Sequence, residues 1–287
     1  MTDGRRAVRD GAHTGPGDGP PTGADALAAR FVPGRPAVVC YVPLGDPSLA
    51  PDAMLDAYAD ADVDVLEVGV PTRDPWLDGP EVATSMGRAL EQGVDAAWVG
   101  RALGDWRVSR ATRGRRVPAI VWFGYPEVPL EAVREAAARH AIDALLLIDP
   151  HRHAAGASLD AALVGLGVAR CAFLPWAPAS SDLGSASSAT GYVMVQARPG
   201  PTGADGMPAD PRPLVRLARD AAPGRPIVAG FGISGPEDVR RVLRAGADGV
   251  VVGSACIHAL RDGGTTGLRR FLASIVAAAR SMPETRA

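Results

Sequence analysis

The sequence predicts an α/β protein, a single-domain (β/α)8 TIM barrel, on three observations. Short β-branched runs, eight in all, alternate with alanine-rich amphipathic stretches. The runs are apolar throughout rather than alternating, as strands covered on both faces must be. They also recur within roughly 250 residues, the usual extent of such a barrel.

Taken in order, Met1 to about Gly23 is dominated by glycine, proline and charge without helical or strand period. A disordered tail is expected over residues 1–23, followed by a barrel domain over 24–287. A short helix, Ala24–Phe31, leads in. Strands are expected at Ala37–Val42, Val63–Val68, Ala119–Phe123 and Ala144–Ile148, then at Cys171–Leu174, Tyr192–Gln196, Ile227–Ala229 and Gly249–Val252. One helix is expected after each. Leu130, Val133, Ala137 and His140 share one helical face; Val239, Val242 and Leu243 another; Leu268, Phe271, Leu272 and Ile275 form the clearest stripe. An open doubly wound sheet is the competing architecture. Against it, Leu44-Gly45-Asp46-Pro47 after the first strand is a tight turn without dinucleotide-binding spacing.

Composition narrows the function. The 287 residues are 47% hydrophobic and carry 30 basic against 32 acidic side chains, a net charge of −2 with no nucleic-acid footprint. Every basic side chain among the 30 is arginine. Schiff-base chemistry and phosphate-loop lysines are therefore excluded, because guanidinium cannot supply an amine of tunable pKa. Cys40, Cys171 and Cys256 are scattered through apolar runs and read as buried small hydrophobes. No apolar stretch reaches the ~18 residues a bilayer requires, and no secretory core opens the chain, so a cytoplasmic enzyme is expected. His151 and His153 lack a third ligand, and no metal is expected.

In a barrel of this kind the chemistry belongs at the C-terminal strand ends. Glu67 interrupts the apolar run Asp-Val-Leu-Glu-Val-Gly-Val, on the same face as Val65 and Gly69. A carboxylate there points into the barrel mouth, where desolvation should raise its pKa towards neutrality and suit it to acid/base work. Pairing with Arg73 or Arg198 is the plainer alternative. Asp78 sits in a Gly/Pro-framed loop, where, as for Asp46, Asp74 and Asp149, turn formation competes with function. Glycines follow strands six, seven and eight at Gly200–Gly203, Gly230–Gly232 and Gly253. With the helix opening at Ser254 they make a candidate phosphate seat.

The block Leu66-Glu67-Val68-Gly69-Val70-Pro71 through Asp74-Pro75-Trp76-Leu77-Asp78-Gly79-Pro80 resembles the tryptophan synthase alpha subunit family. Leu44–Pro47, Gly200–Gly203, Gly230–Ser234 and Ala247–Ala255 fit the same pattern in order. The resemblance implies retro-aldol cleavage of indole-3-glycerol phosphate to indole and glyceraldehyde 3-phosphate, within tryptophan biosynthesis and without a cofactor. It implies Glu67 and Asp78 as catalytic pair and Gly203, Gly232, Gly253 and Ser254 as phosphate contacts. Tyr41, Tyr192 and Phe231 become candidates to line the indole pocket. The physical reading agrees: Glu67 would shuttle protons, and Asp78 would hold the ring N–H as positive charge develops.

The chain also departs from the family pattern. Met194 stands where the family carries tyrosine, Thr72 and Arg73 follow Pro71 in place of an aromatic, and Gly124-Tyr125-Pro126 replaces Tyr-Asn-Pro. The resemblance implies a tryptophan synthase beta subunit as partner, docking on these loops, and their divergence leaves a stand-alone enzyme open. A weakly active barrel that activates a beta-like subunit, or a lyase or isomerase for another phosphorylated substrate, are the other readings.

Overall fold

The computed structural model describes residues 23–47, 50–156, 158–200 and 210–282. The tail expected over 1–23 lies outside these residues except for Gly23, which opens the first helix. The strands are β1 (Ala37–Pro43), β2 (Val65–Gly69), β3 (Ala119–Gly124), β4 (Ala144–Leu147), β5 (Ala169–Leu174), β6 (Val193–Gln196), β7 (Ile227–Gly230) and β8 (Gly249–Val252). They are parallel, follow chain order, and close as β8 pairs with β1.

Residue parity divides the strand side chains into two cores. Val39, Tyr41, Val65, Val121, Phe123, Leu146, Met194 and Val251 fill the barrel interior. Their neighbours Val38, Cys40, Leu66, Val68, Ile120, Trp122, Leu145 and Val250 pack outward with the helices. That double burial is why the strands read as unbroken apolar runs. Glu67 has the parity of Val65, so period-2 alternation turns its carboxylate inward among apolar neighbours.

The surrounding helices are α1 (Gly23–Ala28), α2 (Pro51–Asp60), α3 (Pro80–Glu91), α4 (Ala96–Thr112), α5 (Leu130–Ala138), α6 (Ser158–Gly165), α7 (Ser180–Ser187), α8 (Arg212–Ala221), α9 (Pro236–Arg244) and α10 (Ser254–Arg280). Within α10, Gly264 takes φ 57° and breaks the helical run. Helix α1 contacts β3, β4 and β5, and its Leu27 joins the interior core. It closes the end of the barrel opposite the site.

Several details differ from the expectations; β2 begins at Val65 rather than Val63 and β6 at Val193 rather than Tyr192. The lead-in helix stops at Ala28 rather than Phe31. Two helices, not one, follow β2: Gly93 at φ 74° turns the chain after α3, and the Asp95 carboxylate accepts the Trp98 N–H at 2.7 Å to restart it as α4. The strand expected from Cys171 begins at Ala169 and includes Arg170, whose buried guanidinium is paired with Asp160 at 2.8 Å. His140 does not continue the face of α5. The helix has ended, His140 is exposed at φ 51°, and Ala132, Val133 and Ala136 are the buried positions.

Candidate active site

Glu67 sits midway along β2, paired in register with Tyr41 of β1 and Val121 of β3. It is 1% exposed, and its carboxylate accepts the hydroxyl proton of Tyr192 from the far side of the barrel. Burial pushes its pKa up to about 7; the Tyr192 hydrogen bond opposes the rise, and the charge of Asp78 adds to it. Neither Arg73 nor Arg198 pairs with it.

Asp78 lies in the loop between β2 and α3. Tyr125, buried just beyond β3, donates its hydroxyl to the Asp78 carboxylate at 2.7 Å and accepts the Leu77 N–H at 3.3 Å. Trp76, half-exposed, rests on the Tyr125 ring at 4.4 Å between centroids. Burial raises the Asp78 pKa to about 6, again opposed by its tyrosine. At neutral pH the two carboxyl groups therefore differ: Asp78 is chiefly the anion, while Glu67 is divided between its two forms.

Both face a cavity of about 280 Å³. Tyr41, Val82, Phe123, Met194, Phe231 and Val251 form its apolar wall. At the other end are Gly232, Ser234, Gly253, Ser254 and Ala255, from the β7 and β8 loops. Phe231 and Gly232 adopt consecutive left-handed conformations, φ 74° and 69°. For Phe231 that is a costly backbone, of the kind held at ligand sites. Ser254 begins α10, so amide groups at the positive end of a helix border this part of the cavity.

Most of the residues singled out in the sequence meet in this cavity: Glu67, Asp78, Tyr41, Phe231, Gly232, Gly253 and Ser254. Gly203 lies outside the described residues. Tyr192 is absent from the cavity wall. Its ring is fully buried behind Glu67, packed at 5.9 Å on Phe31, and its hydroxyl is engaged by the carboxylate. Asp46 is buried in an ion pair with Arg88 at 2.5 Å and a hydrogen bond from Ser85 at 2.7 Å. Both ring nitrogens of His153 contact backbone, Val128 O at 2.9 Å and the Ala155 N–H at 3.1 Å. Among the described residues no three His, Cys, Asp or Glu side chains gather as a metal site. Nor is any described helix long and apolar enough to cross a membrane.

Arg198 and His258 also line the cavity, unforeseen as site residues. The Arg198 side chain lies across Gly232, where a Cβ would sit 2.0 Å from Arg198 Cδ. His258, one turn beyond Ser254, has Nε2 at 3.1 Å from the Glu81 carboxylate. Its Ser-x-x-x-His spacing at a helix start was the available signal.

A family model described as tryptophan synthase alpha chain matches residues 27–284. The chain belongs to this family. Its relatives include the tryptophan synthase alpha chain of Xanthomonas euvesicatoria pv. vesicatoria (strain 85-10), 35% identical over 241 residues that cover 80% of this chain and 86% of the relative. The tryptophan synthase alpha chain of Opitutus terrae is also 35% identical, over 246 residues, 83% of this chain and 89% of its own. A chain of the solved Mycobacterium tuberculosis tryptophan synthase aligns with a TM-score of 0.74 at 25% identity, covering 91% of this chain and 97% of that one. The alpha-chain match spans all eight strands and both ends of the cavity.

Proposed function

We propose that Glu67 and Asp78 carry the chemistry of a tryptophan synthase alpha-type lyase, cleaving indole-3-glycerol phosphate to indole and glyceraldehyde 3-phosphate. One observation carries the assignment of roles: a buried and a partly buried carboxyl group of unequal acidity, each held by a tyrosine, face a cavity that ends in glycines and a helix start.

The reaction needs one proton delivered to indole C3 and one removed from the carbinol hydroxyl on the carbon attached to the ring. Glu67, with a pKa of about 7, is populated in both forms near neutrality. Its acid form gives the proton to C3. Its carboxylate then takes the carbinol proton, the O–H electrons form the aldehyde, and the C–C pair returns to the ring. The acid is regenerated and the protons balance. Protonation at C3 places positive charge on the ring, and the Asp78 anion strengthens its hydrogen bond to the ring N–H as that charge grows. Gly232, Gly253 and Ser254, with Gly203, take the phosphate by backbone N–H groups and a hydroxyl. Phe231 and Tyr41 flank the ring. A barrel kept only to activate a partner would need neither carboxyl group desolvated.

The test is indole release from indole-3-glycerol phosphate by the purified chain and by Glu67→Gln. Loss of three or more orders of magnitude in kcat, with KM little changed, is expected. A Glu67→Gln rate within tenfold of the parent would remove Glu67 from this role. A tryptophan synthase beta subunit as partner is part of the same proposal, with Thr72, Arg73 and the Gly124–Pro129 turn on its docking face. Co-elution in gel filtration supports a synthase subunit; separate elution makes the chain a stand-alone lyase. Cytoplasmic location also belongs to this proposal, with cell fractionation as its check.

A further inference from the structure

We propose that Tyr41 is a further catalytic residue, its hydroxyl donating a hydrogen bond to the substrate's carbinol oxygen, the atom that becomes the aldehyde oxygen. The inference rests on the lyase reading above.

Three tyrosines surround the two carboxyl groups, and two have their hydroxyls engaged: Tyr192 donates to Glu67 and Tyr125 to Asp78. Tyr41 is different. It lines the cavity, is only 5% exposed, and its hydroxyl oxygen is buried without a hydrogen-bond partner among the described residues. A buried hydroxyl left unpaired is costly and uncommon, and at a cavity wall it marks where a ligand atom belongs.

The phenol is held in place by two contacts. Its ring meets Phe123 edge-on, with centroids 5.9 Å apart. It also lies against Gly69, where a Cβ would stand 2.0 Å from the hydroxyl oxygen. Gly69 shares the inward face of β2 with Glu67, so the hydroxyl projects one inward position beyond the acid, towards the mouth. Burial first, then the charges of Asp78 and Glu67 among others, keep the phenol protonated and therefore a donor. Beside two carboxylates, the acceptor it suits is an uncharged oxygen that gains negative charge during reaction. The carbinol oxygen meets that description. As Glu67 removes its proton and the C–C bond breaks, the O–H electron pair becomes the second bond of the aldehyde. Tyr41 keeps its own proton throughout and steadies the oxygen in passage.

The variant is Tyr41→Phe in the full chain, which keeps the ring and removes only the unpaired oxygen. The expected results are a kcat for indole release lower by about a hundredfold, a KM changed less than threefold, and an unchanged or raised Tm. By calorimetry, affinity for glyceraldehyde 3-phosphate should fall about tenfold, with inorganic phosphate bound as before. A kcat within twofold of the parent overturns the proposal, as does an equal loss of affinity for inorganic phosphate. Should the parent chain release no indole, the lyase reading fails. The paired calorimetry still decides whether this hydroxyl holds a substrate oxygen, equal triose-phosphate affinities in parent and variant counting against it.

Discussion

Two acidic residues three positions apart, one just before β2 and one within it, are treated in opposite ways. Asp64, just before β2 at the closed end of the barrel, is fully buried. Its carboxylate is met by Arg35 at 2.8 Å, Arg116 at 3.1 Å, Arg280 at 2.7 Å and the Val38 N–H at 2.8 Å. Glu67, at the open end, is equally buried but has a phenol for company and no arginine. The lower acid is neutralised by fixed cations and serves the frame. The upper one is left uncompensated, and the resulting ease of protonation suits it to exchange protons. Each end spends burial differently.

The sharpest break in this contrast is Glu67→Gln, expected to lower kcat by about 10³–10⁴-fold while the fold persists; steady-state indole release measures it. The counterpart is Asp64→Ala. It leaves three guanidinium groups facing one another and should cost about 3–5 kcal/mol in urea unfolding. An Asp64→Ala chain as stable as the parent would dissolve the distinction.

A third experiment compares stability across pH. In the folded chain Glu67 holds its proton up to about 7, against 4.5 for an ordinary glutamate. Between those values the native state binds more protons than the unfolded one, so this group lowers stability as pH rises through the window. The penalty is complete above pH 7 and absent below 4.5. Glu67→Gln should therefore gain up to about 3 kcal/mol over the parent at pH 8 and show no such gain at pH 4. Tyr125→Phe should act more gently. Removing a hydrogen bond to the charged form raises the Asp78 pKa above about 6, so the acid limb of kcat/KM shifts to higher pH and the optimum falls about tenfold. Smallest of all, Arg35→Ala should cost no more than about 1 kcal/mol, since its side chain is 36% exposed and two arginines remain on Asp64.

The two ends also differ in how far they could be read from sequence. Strand cores were legible because double burial writes them as unbroken apolar runs, and Glu67 stood out by interrupting one. Arg170 concealed the start of β5 for the same reason in reverse: a charge in a strand reads as its boundary until the distant Asp160 pairs with it. Helix α4 was missed because it buries Arg110, held by Asp56 at 2.7 Å and Asp60 at 2.6 Å, and so lacks a clean apolar stripe. Around the site, residues at strand ends were found and their partners were not. Tyr125 and Tyr192 reach their carboxylates from 47 and 125 residues away, which no local spacing encodes.

The Glu67–Tyr192 contact joins β2 to the residue that leads into β6. In a ring of eight strands closed in chain order, β2 and β6 stand opposite one another, so the contact runs along a diameter. The proton's grip is thereby tied to the roundness of the whole cylinder. A distant core substitution that flattened the ring into an oval would lengthen or shorten that diameter. It would register as a shift of acidity at the mouth well before any strand let go.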